Sequence, residues 1–203
     1  MSNTKFVLRT VVLALGGSVL VFFLVGLALA DQWLVTTTRT IPAPAAQLVD
    51  KIIDLRQWPT WSAVDFQLGN PTKREFQGEA GKADQSATWR GPKGIATVLL
   101  TRIDENDVDY AIGFKFGPEG ETFGGKFTGT ISWRQEGDET VVTWSEHGQL
   151  INLLQRWSNW FGALQVKVAQ VQRASLAGLE EHVRRSAGKA QLPKDDAAAV
   201  KQK

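Results

Sequence analysis

Few side chains in this 203-residue sequence have the types and spacing needed for acid–base, nucleophilic or metal chemistry. The sequence has no cysteine, which excludes a thiolate nucleophile, a disulfide and a cysteine-based zinc site. Its two histidines, His147 and His182, each follow a glutamate, but they lack the i, i+4 spacing that places two metal ligands on one helix face. We predict no catalytic residue, no metal site and no cofactor, and we expect both histidines to be structural or exposed.

Phosphate and nucleic-acid binding also find little support. The segment GETFGGKF (120–127) has the glycine and lysine spacing of a phosphate-binding loop, but Phe127 stands where Ser or Thr would bind magnesium. All 21 acidic residues lie at or after Asp31, and removing Lys5 and Arg9 from the 23 basic residues leaves 21 of each sign. With no basic run longer than two residues, we predict no nucleic-acid partner.

The N-terminal segment has the composition of a membrane-spanning helix. Residues 10–30 (TVVLALGGSVLVFFLVGLALA) carry no charge, and about 20 apolar residues cross a bilayer as a helix. Lys5 and Arg9 precede the segment, so the positive-inside tendency places the N-terminus in the cytoplasm. We predict a single-pass anchor in the inner (cytoplasmic) membrane, with the following domain extracytoplasmic, or periplasmic. Cleavage after Ala30, as in a signal peptide, stays open as the alternative; both interpretations export the domain.

The exported chain begins with a strand and a helix and continues as a meander. Residues 32–41 (QWLVTTTRTI) are rich in β-branched residues and predict a strand, while Leu48, Ile52 and Leu55 recur at helical spacing after Pro44. Pro59 ends this helix. Short β-rich segments separated by turn residues then predict an antiparallel sheet, with strands at 64–68, 73–77, 84–90, 94–104, 108–116, 123–134 and 140–147.

A long amphipathic helix closes the domain. Trp157, Phe161, Leu164, Val168, Val171, Ser175 and Leu179 follow helical spacing, which predicts one helix over about 153–185 with a single buried stripe. The remaining residues lack a periodic apolar face, and we expect a disordered tail. We therefore divide the chain into an anchor or signal segment (1–31), a globular domain (32–185) and a tail (186–203).

Several segments resemble a known family when they are taken in order. Residues 38–62 join an APA-type strand-to-helix entry to the pattern D-L-x-x-W-x-x-W-S, and further matching segments lie at 88–94, 129–150, 156–161 and 176–183. They resemble the SRPBCC superfamily, with its START-like helix-grip fold, in the polyketide cyclase/dehydrase and lipid-transport branch. The resemblance covers most of residues 35–185. It implies an α+β fold in which a curved antiparallel sheet wraps around a long C-terminal helix, here preceded by one transmembrane helix.

The implied fold gives roles to the aromatic residues. In folds of this kind the small N-terminal helices close one end of the cavity, so we expect Trp58 and Trp61 to form a buried hydrophobic plug, with ligand contact as the alternative. The interior between sheet and helix is either filled or an apolar cavity. For an open cavity, the predicted ligand-binding residues are Tyr110, Phe114, Phe127, Trp133, Trp144, Trp157, Phe161 and Leu164.

Three functions are compatible with these features. The one we favour is a membrane-tethered extracytoplasmic binding module for a hydrophobic small molecule or lipid, attached to the membrane through residues 10–30. A polyketide cyclase/dehydrase-like enzyme would need its acid–base candidates, Glu146, Tyr110 and His147, to converge. An envelope protein-interaction domain with a filled core would instead show a large apolar patch outside the cavity.

Overall fold

The computed structural model describes residues 3–117 and 122–190. Its helices are α1 (Asn3–Ala28), α2 (Ala46–Ile53), α3 (Val64–Gln67), α4 (Leu153–Trp160) and α5 (Ala163–Ala190), with a 3-10 turn at Trp58–Thr60. Its strands are β1 (Gln32–Ile41), β2 (Lys73–Gln77), β3 (Ser86–Gly91), β4 (Gly94–Ile103), β5 (Asp107–Phe116), β6 (Thr122–Glu136) and β7 (Glu139–Gln149). This α+β arrangement is the predicted helix-grip fold: a seven-stranded antiparallel sheet with a long C-terminal helix.

The strand order brings the two ends of the domain together. The order is β1-β7-β6-β5-β4-β3-β2, so the first strand pairs with the last at one edge. In this pairing Gln32 lies opposite Gln149 and Ile41 lies opposite Thr140. The segment that leaves α1 is therefore adjacent to the segment that enters α4.

The inner face of the sheet forms the core by the alternation that the sequence predicts. Tyr110 and Ile112 on β5 and Ile131 and Trp133 on β6 are all buried, because alternate residues of a strand point to the same face. Helix α5 packs over this face. Its residues Ser175, Leu176 and Leu179 are buried. The alternation along these strands therefore places the side chains of the site described below on the inner face of the sheet.

Two predicted elements are wrong in ways that have physical causes. Residues 64–68, predicted to be a strand, instead contain α3, which brings the buried side chains of Val64 and of Leu68, the residue after the helix, one helical turn apart. The predicted single helix over 153–185 is two helices, because Gly162 adopts a left-handed backbone conformation with φ of 75° between α4 and α5. Glycine reaches this conformation without steric cost, and it commonly ends a helix.

The N-terminal helix is long and exposed. Within α1, residues Phe6–Ala28 form a 23-residue apolar stretch, which by length and composition could cross a membrane or serve as a signal sequence. At the other end of the chain, the predicted tail begins at residue 186, whereas α5 continues to Ala190. The rest of that tail, residues 191–203, and most of the predicted turn at 117–120 lie outside the described residues.

Candidate ligand-binding site

A cavity of about 150 Å³ lies between the inner face of the sheet and α5. Its walls are mostly apolar, and three parts of the fold supply them. The sheet contributes Tyr110, Ile112, Phe114, Phe127, Trp144 and Glu146; α5 contributes Leu164, Lys167, Val168 and Val171; the segment between α2 and β2 contributes Trp58, Val64 and Gln67. The domain is therefore not packed solid at this position.

Glu146 is the acidic side chain on this mostly apolar wall. It follows Trp144 by two residues on β7 and therefore points to the same inner face. The Tyr110 hydroxyl donates a hydrogen bond of 2.5 Å to Glu146 Oε1, and Trp144 Nε1 donates one of 2.6 Å to the Tyr110 hydroxyl. The carboxyl group therefore ends a chain of donors that begins in the aromatic core.

A second chain of donors reaches the same carboxyl group from α5 and β1. Gln172 Nε2 donates to Glu146 Oε2 at 3.3 Å, and the Thr37 hydroxyl donates to Gln172 Oε1 at 2.8 Å. Gln172 itself is fully buried, and buried amides require such partners. The network thus joins β1, β5, β7 and α5 at the cavity wall.

Burial raises the pKa values of two groups in this network, the Glu146 carboxyl group and the Tyr110 hydroxyl. Removal from water disfavours the charged form and raises the pKa of Glu146, although the bonds from Tyr110 and Gln172 partly oppose this rise. Burial, and secondly the nearby Glu146 charge, hold the pKa of Tyr110 well above its usual value. Tyr110 is therefore a proton-bearing donor, and Glu146 holds its proton to higher pH than an exposed glutamate.

Trp58 and Trp61 form the predicted plug at one side of the cavity. Both are buried, at 1% and 4% exposure, and their rings lie 5.5 Å apart. Each indole donates to a carbonyl at the end of α2: Trp58 Nε1 to Ile52 O at 2.8 Å and Trp61 Nε1 to Lys51 O at 2.9 Å. The predicted burial of both side chains is confirmed, and Trp58 also lines the cavity.

The structure brings together five of the eight residues that the sequence predicts to bind ligand. Tyr110, Phe114, Phe127, Trp144 and Leu164 line the cavity. The other three lie elsewhere. Trp133 is buried in the main core, 4% exposed. Trp157 stacks on Phe22 of α1 and Phe161 is 75% exposed, because the break at Gly162 turns α4 away from the cavity.

Sequence reasoning left Glu146 and Gln172 out of the ligand-binding set. A signal for Glu146 is visible, since an acidic residue on the inward face of a strand two positions after Trp144 requires a polar partner. Gln172 occupies a position four residues after Val168 on the buried stripe of α5, where a polar residue is unusual. Pairing the two residues would have required the register between β7 and α5, which the sequence does not reveal.

Neither histidine is among the residues that line the cavity. His147 is exposed, on the outer face, where its Nε2 lies 2.8 Å from the Thr128 hydroxyl. His182 is half-buried near the end of α5. In the described part of the chain, no group of three or more His, Asp or Glu side chains is arranged to hold a metal ion.

Comparison with known proteins places the chain in a family. A sequence profile of the family described as polyketide cyclase/dehydrase and lipid transport matches residues 32–184. The chain belongs to this family. Membership and the apolar cavity together support a ligand-binding helix-grip domain. No curated protein is significantly similar to the chain in sequence.

Solved structures share the fold at low sequence identity. An uncharacterized protein from Rhizobium leguminosarum has 14% identity and a TM-score of 0.56, covering 76% of this chain and 96% of its own. A protein from Thermus thermophilus has 18% identity and a TM-score of 0.53, over 76% and 99%. The DynU16 protein of the dynemicin biosynthetic locus has 11% identity and a TM-score of 0.52, over 76% and 48%. These likenesses establish the fold alone.

Proposed function

We propose that the chain is a membrane-tethered binding module that holds a hydrophobic small molecule, or part of a lipid, between the sheet and α5. The observation that carries this proposal is the apolar cavity with one acidic group, Glu146, on its wall. A filled core would have favoured the protein-interaction alternative. The cavity instead offers an apolar ligand a site that removes it from water, which is the main source of affinity in such pockets.

The size of the cavity limits the occupant. Its volume of about 150 Å³ is smaller than the roughly 300–1,000 Å³ of typical small-molecule pockets, and an engineered apolar cavity of about that size binds benzene. A single ring or a short stretch of acyl chain fits without rearrangement. A longer ligand would extend into the adjoining groove of about 490 Å³, which shares Gln67, Lys167 and Val171 with the cavity.

The polar network favours a ligand that carries a hydrogen-bond donor. Tyr110 and Gln172 both donate to Glu146, so the carboxyl group is the acceptor at the end of both chains. A carboxylate has about four acceptor sites, and these two bonds leave further acceptor capacity. A ligand hydroxyl or amine would use it and would offset part of the cost of desolvation.

The tether and its orientation follow from the N-terminal sequence. Lys5 and Arg9 on the N-terminal side of the apolar stretch favour a cytoplasmic N-terminus. The cavity domain would then face the periplasm from the inner membrane. Retention of α1 as an anchor, as opposed to cleavage after Ala30, is part of the proposal.

The test is to identify what the full-length chain carries from its own membrane. The protein would be extracted into lipid nanodiscs, released for native mass spectrometry, and separately extracted with organic solvent. We expect a discrete adduct that the solvent removes. An apo mass that stays unchanged after incubation with a mixed lipid extract would overturn the binding proposal.

A matched pair of variants on α5 assigns the adduct to the cavity. Val168 lines the cavity, whereas Val166, two residues earlier, is 57% exposed and lies outside the cavity wall. Val168→Trp should fill the cavity and abolish the adduct, while Val166→Trp should retain it. Circular dichroism verifies folding, and Val171→Trp at another lining position replaces the first variant if that variant unfolds. Equal adduct in both members of the pair would place the ligand elsewhere.

An enzyme of the cyclase/dehydrase kind is the second candidate, because Glu146 and Tyr110 converge at the cavity wall. A carboxyl group with a raised pKa beside a buried hydroxyl is a suitable acid–base pair. The organic extracts of the wild type and Glu146→Gln distinguish the two functions. The same compound in both extracts supports binding, whereas an unconverted precursor in the variant alone supports catalysis.

A further inference from the structure

An apolar surface outside the cavity surrounds the short helix α4. Ile151 precedes the helix, Leu154 and Trp160 lie on it, and Phe161 follows it. All four are between 64% and 75% exposed. We call these four residues the α4 apolar surface. Single exposed apolar residues are ordinary, but four within eleven positions form a patch of the kind that marks an interaction site.

The helix that carries this surface has defined ends. The Asn152 side chain caps its start by accepting from Gln155 N at 2.9 Å, and Gln155 Oε1 accepts from Ile151 N at 2.9 Å. Gly162, with φ of 75°, ends it. These reciprocal hydrogen bonds satisfy backbone donors at the start of the helix. The local sequence therefore fixes the helix that presents Leu154 and Trp160.

The same side of α4 also packs against the last turns of α1, since Trp157 is three residues from both Leu154 and Trp160. Trp157 stacks on Phe22 with ring centroids 4.8 Å apart and planes inclined by 8°. Gly26 allows the close approach, because a Cβ at this position would lie 2.6 Å from the Leu153 side chain and 2.7 Å from Trp157 Nε1. Small residues serve this purpose at contacts between membrane helices. The two helices are thus matched in shape.

A polar contact fixes the level of α4 along α1. Arg156 Nη1 donates to Leu27 O at 3.0 Å, one residue before α1 ends at Ala28. A cation at this position stabilises the carbonyls that lack helical partners at a C-terminus. The α4 apolar surface therefore lies at the level where α1 ends.

We propose that the α4 apolar surface lies in the interface of the same bilayer that α1 crosses. This inference rests on the proposed tether and adds a second, peripheral contact to it. Where α1 ends, the chain must pass through the headgroup region, and this is the depth at which Trp side chains are enriched and short amphipathic helices bind. The occupant of the surface is thus lipid, and Trp160 is its interfacial anchor.

The arrangement gives the cavity an entrance from the membrane. A cleft of about 260 Å³ lies between α4 and the strands and includes Ile151 and Gln155 in its lining. Phe127 and Leu164 line both this cleft and the inner cavity. Docking of α4 would place the cleft at the bilayer surface, so that an apolar ligand reaches the cavity past these two side chains without crossing water.

The test uses the natural absence of cysteine to introduce single labels. The full-length chain would be reconstituted in phosphatidylcholine vesicles that contain a nitroxide-labelled acyl chain, with an environment-sensitive fluorophore at one introduced cysteine. Leu154→Cys and Phe161→Cys report on the α4 apolar surface, and Val19→Cys reports on α1. Asp138→Cys, in the exposed turn at the far end of β7, is the control.

We expect severalfold stronger nitroxide quenching at positions 154 and 161 than at 138, together with strong quenching at 19. Quenching at 19 with positions 154 and 161 equal to 138 would overturn the docking of α4 while the tether stands. Fluorophores at 154 and 161 that are shielded but unquenched would overturn it in favour of a protein partner. No quenching at 19 would overturn the tether and the docking together.

Discussion

The Tyr110 hydroxyl lies 2.5 Å from Glu146 Oε1 and donates a hydrogen bond to it across the inner face of the sheet. The same hydroxyl accepts from Trp144 Nε1. Gln172 on α5 donates to the other carboxyl oxygen of Glu146. The Glu146 carboxyl group therefore accepts hydrogen bonds from both the sheet and α5. Changes at either residue should therefore affect stability and ligand binding together.

Glu146→Gln should change how stability depends on pH. Burial raises the pKa of Glu146, so the folded state retains its proton after the unfolded chain, with an ordinary pKa of about 4.3, has lost it. This contribution to stability is fully present below the unfolded pKa and is lost as pH rises through the folded pKa. We expect the wild type to lose stability relative to Glu146→Gln over that interval, measured by urea unfolding of the full-length chain in mild detergent.

Asp109→Asn provides the control with the opposite sign. The hydrogen bond from Arg102 holds the pKa of Asp109 below its usual range, so its contribution is present above the unfolded pKa and is lost as pH falls through the folded pKa. The two carboxyl-to-amide substitutions should therefore change the pH profile in opposite directions. Parallel profiles for the wild type and Glu146→Gln would contradict the assignment of a buried carboxyl group at position 146.

Tyr110→Phe should destabilise the fold without changing its shape. The variant keeps the ring but leaves the buried Trp144 Nε1 without its acceptor, and an unpaired buried polar group costs about 1–3 kcal/mol. The measurement is the free energy of unfolding, combined with Glu146→Gln in a double-mutant cycle. Contacting residues give interaction energies of roughly 0.5–3 kcal/mol. Strict additivity would show that the 2.5 Å contact does not exist in solution.

Trp58→Phe tests the plug with a matched control at Trp160. Trp58 is buried and donates to Ile52 O, so the smaller ring leaves a void and an unpaired carbonyl. We expect these two effects together to lower the free energy of unfolding by about 2–4 kcal/mol. Trp160→Phe, at a side chain that is 67% exposed, should change stability by less than about 0.5 kcal/mol. Similar losses from both substitutions would contradict a specific role for the plug.

The sequence was sufficient to predict the parts of the fold that depend on local pattern. Alternation placed Tyr110 on the inner face, and β-branched composition placed β1 at Gln32–Ile41. Helical spacing placed Leu164 and Leu179 on the inner side of α5. These patterns repeat at the period of the element itself, so no knowledge of the neighbouring elements is needed.

The features that the sequence did not predict depend on single residues or on contacts between elements that are distant in the chain. The break at Gly162 interrupts the apolar stripe that was predicted to run through one continuous helix. As a result Trp157 contacts α1 instead of the cavity, and Phe161 lies beside it on the surface. The segment 64–68 is too short for its apolar residues to separate a strand from a helical turn. The junction of Glu146 with Gln172 depends on how α5 sits on the sheet, and no sequence spacing encodes that.

Gly178→Ala separates the influence of local helix propensity from that of tertiary contact. Alanine is favoured over glycine by about 0.8–1 kcal/mol inside a helix, so propensity alone predicts a more stable protein. In this structure a Cβ at position 178 would overlap the Trp61 carbonyl oxygen, where α5 meets the plug. The overlapping atom is backbone and has little freedom to move, so we expect a net destabilisation of about 1–3 kcal/mol.

The measurement is urea unfolding of the full-length chain, with Gly17→Ala as the control. Gly17 is also helical, but a Cβ there meets no atom within 4 Å, and its substitution should leave the unfolding of the domain unchanged. Because the Trp61 ring lies 6.0 Å from that of Trp144, displacement of the plug should also alter the near-ultraviolet circular dichroism of Gly178→Ala. A stabilised Gly178→Ala would mean that α5 lies farther from the plug than this packing requires, and the cavity between sheet and helix would then be wider.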